Sequence, residues 1–250
     1  MPQSRVSITA LSLAGFVAFW WGLSVLRGDA LVLPSPLAVL TAIWAEAVLG
    51  RLWFHTSATL LRVGLAFCLA MGLGTVIGIA LGRYPRLNQW ADPWLIILLN
   101  LPALVVIALC YLWIGLNETA AIVAVTLNKT AMVAVTLREG SRALNPALID
   151  LGQSFRLSKL TRLRHITLPQ LAPYLASATR NGLAIIWKIV LVVEFLGRSS
   201  GVGFQIHLKF QLFEITGVLA YALSFTALML ALDYALVQPL ERHANRWRNP

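Results

Sequence analysis

The chain has 250 residues, of which 58% are apolar and 12% charged, with a mean hydropathy of +0.76. A soluble domain carries about 25% charged residues, so the composition excludes an ordinary soluble enzyme or binding module and suits a polytopic membrane protein. The formal charge of +10 does not point to nucleic acid, because the cations gather at the ends of apolar runs, where they set orientation in a membrane.

We read residues 1–250 as one all-α membrane domain with six spans, at about 7–26, 57–82, 92–116, 119–137, 173–196 and 216–239. Each is long enough to cross the hydrocarbon core, and backbone groups there must be satisfied within a helix. The first run follows Met1–Arg5, holds Trp20 and Trp21 and lacks a small-residue cleavage site. It therefore reads as a retained span rather than a signal peptide. Between the first two spans, Ser35 is placed to cap a helix and Pro36 to occupy its first turn. The amphipathic stretch that follows carries Trp44, Trp53 and Phe54, which suit the membrane interface.

The second span is studded with glycine. Gly74 and Gly78 form a small-xxx-small pair that lets helices approach closely, and the plain reading is packing within one subunit. Pro102 is expected to kink the third span. The kink either shapes a pathway or only fits the bundle. Asn100, Asn128, Lys129, Lys188 and Glu194 fall inside spans. Intramembrane polar groups face a cavity or pair internally, and these five are candidates for a substrate pathway. Lys188 and Glu194 are six residues apart, off each other's helix face, and cannot pair within their helix.

Residues 138–170 are out of keeping with the rest, a basic segment too long for a plain connection. Asn145-Pro146 reads as a helix start, with Leu148, Leu151 and Phe155 along one face. Ser158 reads as the cap of a second short helix carrying Leu160 and Leu163. Placing the N-terminus inside puts Arg5, Arg83, Arg86, Arg138, Arg142, Arg156, Lys159, Arg162, Arg164, Arg242, Arg246 and Arg248 on the inner side. Only Arg27, Arg51, Arg198 and Lys209 then lie outside. This bias places both termini and the 138–170 segment in the cytoplasm.

Counting back from Pro169, the segment reads Asp150-Leu151-Gly152, three residues, Arg156, nine residues, then Ile166, Leu168 and Pro169. This resembles the cytoplasmic coupling loop of ABC importer permeases, which usually reads Glu-Ala-Ala, three residues, Gly, nine residues, Ile-any-Leu-Pro. Asp150 stands at the Glu position, Gly152 at the second Ala and Arg156 at the Gly. Leu33-Pro34-Ser35-Pro36, Leu101-Pro102-Ala103 and Gly197-Arg198-Ser199-Ser200-Gly201-Val202-Gly203 extend the resemblance across nearly the whole chain, to the permeases of nitrate, sulfonate and taurine importers.

The resemblance implies an inner-membrane permease that imports a small anionic solute. It implies two copies of the chain, two ATPase subunits and a periplasmic substrate-binding protein, with membrane lipid around them. Asp150, Gly152, Phe155, Arg156, Leu157, Ser158, Lys159 and Pro169 would serve ATPase coupling. The turn from Phe155 to Lys159 would be the knob that enters a groove on the ATPase. Arg156 would then pay a steric cost at a position that favours positive φ, unless the turn differs or the charge meets the ATPase.

The chain has no G-x-x-x-x-G-K-[ST] phosphate loop, no catalytic constellation and no metal-ligand spacing among its scattered histidines. It is not expected to be an enzyme or to bind a cofactor; ATP and Mg belong to the partner ATPase. Cys68 and Cys110 sit in apolar runs and read as buried hydrophobes. The rival readings are an ion-driven secondary transporter, which would show inverted repeats, and a non-transporting membrane scaffold or sensor.

Overall fold

The computed structural model describes residues 3–239, and every element in that range is helical. Arg242, Arg246 and Arg248 of the orientation count lie outside the described residues. In chain order the helices are α1 (Gln3–Arg27), α2 (Pro36–Val48), α3 (Arg51–Arg83), α4 (Pro85–Asn100), α5 (Ala103–Ile114) and α6 (Glu118–Arg142). They continue as α7 (Pro146–Ser154), α8 (Lys159–Arg162), α9 (Leu168–Gly197), α10 (Val202–Gln211) and α11 (Ile215–Leu232).

Local chemistry explains the breaks. Ser35 Oγ accepts from the Ala38 N–H at 3.2 Å, with Pro36 in the first turn of α2 as expected. Gly50, at φ +74°, turns the chain into α3, so Trp53 and Phe54 belong to the first turn of that helix. Asn117 caps α6 through Ala120 N–H at 2.8 Å.

At Pro102 the chain does more than kink. Leu101 is extended, as a residue before proline is driven to be, and its N–H closes α4 on Ile97 O. Val105 and Val106 then bond to Pro102 O to begin α5. The two helices meet at 98°. The kinked span expected over 92–116 is therefore two helices with a corner between them.

Helices α3 and α6 approach closely at the backbone, as small residues allow. A Cβ on Gly74 would stand 2.5 Å from Val133 Cβ, one on Gly78 2.5 Å from the Ala134 carbonyl, and one on Gly82 2.5 Å from Ser141 Cβ. Gly74, Gly78 and Gly82 thus form a seam, one residue per turn, along which α3 lies against α6 of the same chain. Beyond this seam, toward the starts of α3 and α6, the core joins Val63 and Ala66 of α3, Ile107 of α5, Ala124 of α6 and Ile186 and Val190 of α9. A second cluster, with Tyr221 and Phe225 of α11 and Leu52 of α3, is tied to α2 by the Tyr221 hydroxyl, which donates to Glu46 at 2.8 Å.

Three described helices are long and apolar enough to cross a membrane: α3, α6 and Ile215–Val237. The bent α4–α5 pair would make a fourth. Helix α9 has 30 residues, about 45 Å, but carries Arg180, Lys188 and Glu194.

Candidate coupling segment and interior polar network

The segment between α6 and α9 is more helical than expected. Helix α6 continues to Arg142, and Arg138 is ion-paired to Asp92 of α4. Asn145 Oδ1 accepts from Ala147 N–H at 2.9 Å and opens α7 with Pro146 in its first turn. Ser158 Oγ accepts from Thr161 N–H at 3.1 Å and opens α8. From there the chain stays helical: α8 passes through one π-helical turn, Leu163–Thr167, into α9. The expected second short helix is the start of a long rod, and Pro169 lies inside that rod rather than before it. The π turn ends at Thr167, two residues before Pro169, where proline removes a donor and crowds the carbonyl four residues back. The connecting loop thus shrinks from 138–170 to the residues around α7.

The turn between α7 and α8 has a defined form. Leu157 N–H donates to Gly152 O at 3.0 Å and Arg156 N–H to Gln153 O at 2.8 Å. This is a Schellman ending, with Arg156 at the position usually given to glycine. Arg156 has φ +48°, so the turn keeps the positive φ that the motif's Gly implied, and Arg carries the steric cost of about 1–2 kcal/mol.

Gly152 is buried where α7 packs on the rod: a Cβ there would meet Ile166 Cδ1 at 2.6 Å, the flexible end of a side chain. Gln170, which sequence reasoning did not single out, accepts from Asn145 N–H at 2.8 Å and joins the start of α7 to α9. Asp150 is exposed on α7. So are Leu148, Leu151 and Leu160, with Phe155 at 72% and Leu157 at 36%. Ile149 instead turns inward, to the wall of a crevice that Lys159 also lines. The apolar stripe expected on α7 thus exists and is left exposed among the described residues.

The five polar residues singled out inside the spans are scattered. Asn100 is exposed at the end of α4, its side-chain amide donating to Ile96 O at 2.8 Å. Asn128 is half-buried. Lys129 is 2% exposed, with Nζ 2.7 Å from Met132 Sδ. Lys188 is exposed beside a crevice of about 320 Å³ between α9 and α11, which Arg180, Thr226 and Asp233 also line. No hydrogen bond among the described residues joins any two of the five.

Glu194 is fully buried at the opposite end of α9 from the coupling segment. Its Oε1 accepts from Arg62 Nη1 at 2.6 Å; its Oε2 accepts from Gly203 N–H at 2.9 Å and lies 2.9 Å from Thr59 Oγ1. Thr59 Oγ1 accepts from Val202 N–H at 2.8 Å, and His55 Nδ1 from Gly201 N–H at 3.1 Å. The first amides of α10 thus end on α3 and on Glu194, an anion placed at a helix N-terminus.

Arg62 also grips Glu118 through Nε at 2.8 Å and Nη2 at 2.6 Å, and Ser200 O through Nη1 at 2.7 Å. Arg198 adds a bond to Glu118 at 2.6 Å. Gly201, at φ +113°, is required twice over, because a Cβ there would fall on the Glu194 carboxylate. Glu194 stands out in the sequence, but its partners in this network do not. The available signal was Arg62 in an apolar helix, an expensive cation that had to have an anion nearby.

Residues 72–241 match the family model described as "Binding-protein-dependent transport system inner membrane component". The chain is 30% identical over 239 residues to a putative aliphatic sulfonates transport permease protein of Bacillus subtilis (strain 168), covering 94% of this chain and 86% of that one. It is 28% identical over 253 residues to the taurine transport system permease protein of Escherichia coli (strain K12), covering 98% and 92%. Its fold is similar to a chain of the methionine ABC transporter in an inward-facing conformation, with TM-score 0.63 at 16% identity, over 74% of this chain and 92% of that one.

Proposed function

The chain belongs to the family of binding-protein-dependent transport system inner membrane components, and is therefore an inner-membrane permease subunit of an ABC transporter and not itself an ATPase; from that premise we propose how it couples and what it carries. Six segments cross the bilayer, α1, α3, the cornered α4–α5 pair, α6, α9 and α11, with both termini in the cytoplasm. Two copies form the pathway, each docking one ATPase subunit, and a periplasmic binding protein delivers the solute.

The observation that carries the coupling assignment is the turn after α7. Phe155 stands exposed at a Schellman ending, continuous with the apolar stripe of Leu148 and Leu151, on the segment that matches the motif. ATP-driven change in the partner shifts the population between inward and outward states by binding them unequally. Asp150, Gly152 and Arg156 to Lys159 shape that contact, and Pro169 fixes the start of the rod behind it. The rod from Lys159 to Gly197 then runs from this contact to the Glu194 network.

The orientation is tested by thiol labelling in a background lacking Cys68 and Cys110. Lys209→Cys should react with an impermeant reagent in intact cells, and Lys159→Cys only after the membrane is opened. Periplasmic labelling at Lys159→Cys would reverse the topology.

The solute is a small organic anion of the sulfonate class. Relatives named for aliphatic sulfonates and taurine support this, as does the lysine at the α9–α11 crevice, whose charge an anion would offset. The test is uptake of a labelled alkanesulfonate by cells expressing the complete transporter. Lys188→Met should lower it about tenfold, the equivalent of ~1.4 kcal/mol, with the protein still accumulating. Unchanged uptake, or a cationic solute, would overturn the anion assignment.

A further inference from the structure

A second crevice, of about 510 Å³, opens between the end of α3, the end of α6 and the segment Lys159–Thr167. That volume is within the range of small-molecule sites. Three cations line it: Arg83, Lys159 and Arg162. None of them makes an ion pair or a side-chain hydrogen bond within the described residues. The carboxylates of this end are engaged or turned away: Asp92 is held by Arg138, Glu139 by Arg138 and Arg142, and Asp150 is not among the lining groups. Three like charges around one space repel, and a bound anion relieves the repulsion. Tyr84 and Thr167 supply hydroxyl donors at the same walls.

The remaining walls are apolar: Ile79, Leu144, Ile149, Leu163 and Ile166. A free inorganic anion has no use for such walls, but an amphiphile does. The height of the crevice also favours a lipid. Arg83 ends the apolar helix α3, and the next residues bring exposed Tyr84, Trp90 and Trp94, the aromatic signature of a membrane–water interface. A headgroup phosphate would meet Arg83 and Arg162 while the glycerol and upper acyl carbons lie against the apolar side.

We propose that this crevice is a binding site for the headgroup of an anionic phospholipid from the cytoplasmic leaflet. It extends the orientation given above and does not depend on the solute carried. A lipid held there lies between the end of α3 and the first turns of the rod, just behind the coupling turn. Bilayer composition would thereby bear on the pose of the segment proposed to meet the ATPase.

The test is native mass spectrometry of the intact transporter released from nanodiscs of mixed phosphatidylglycerol and phosphatidylcholine. Wild type should retain phosphatidylglycerol preferentially over phosphatidylcholine. Arg83→Gln with Arg162→Gln should weaken that retention about 25-fold, since each Lys or Arg near an anionic surface contributes ~1 kcal/mol, or about fivefold. Arg83→Lys with Arg162→Lys, which keeps the charge, should restore it. Equal retention of the two lipids by wild type overturns the proposal without recourse to any variant. So does undiminished retention in the Gln variant. Binding of inorganic phosphate that displaces the lipid at equal occupancy would make this a free-anion site and overturn the lipid assignment.

Discussion

Arg62→Met should remove most of the folded permease from the membrane. Arg62 is 5% exposed and Glu194 is fully buried, so the substitution leaves a carboxylate in the interior with only Thr59 and Gly203 as partners. Breaking one member of a buried ion pair costs about 3–5 kcal/mol, a large share of the ~5–15 kcal/mol that holds an average protein together. The same change frees Glu118 and Ser200 from the guanidinium, so α6 and the approach to α10 lose their common anchor as well. The measurement is accumulation and thermal aggregation of a fluorescent fusion by size exclusion. The double variant Arg62→Met with Glu194→Gln should recover part of the loss, because it removes the uncompensated charge and keeps the amide bonds to α10 possible. Arg198→Gln should cost far less, since its partner Glu118 is half exposed and solvent weakens that pair. If Arg62→Met accumulates and melts like wild type, the network does not support the fold.

What the sequence made legible was local. Ser35, Asn145 and Ser158 cap the helices that their side chains and the following prolines or amides require, because a cap is decided within three residues. The spacing of Gly74 and Gly78 foretold a close helix contact, and the structure supplies the partner, α6. The positive φ at Arg156 could be anticipated only because a motif position favoured glycine; nothing in an arginine announces it. What remained illegible was non-local or angular. Arg62 and Glu194 are 132 residues apart, and no period or spacing links them. Proline at 102 signals a break but not its angle, because the 98° between α4 and α5 depends on what each helix packs against. The end of the coupling loop was misplaced for a related reason. Pro169 closes the motif and leads toward the span expected from 173, yet a π turn just before it gives the backbone room and the rod passes through.

Phe155→Asp should separate the permease from its ATPase while leaving it inserted. Phe155 is 72% exposed and closes no contact of the core, so the chain's own stability has little to lose. The backbone at this point is set by hydrogen bonds from Phe155 N–H to Leu151 O and from Leu157 N–H to Gly152 O, which the side chain does not make. The turn therefore persists, and only its chemistry changes. Entry into an apolar groove now requires a carboxylate to lose its water without a partner, and truncating a central aromatic anchor alone already costs 2 kcal/mol or more. Affinity should fall at least about 30-fold, read as loss of the ATPase during affinity purification of the tagged permease. Phe155→Leu, which keeps an apolar knob, should retain the complex. Arg156→Gly bears on the same turn from the other side: it relieves the ~1–2 kcal/mol cost of the left-handed residue and removes a charge. If the complex tolerates Arg156→Gly and fails with Phe155→Asp, the apolar knob carries the docking. If the Phe155→Asp complex survives with transport-coupled ATP hydrolysis intact, the ATPase engages another surface.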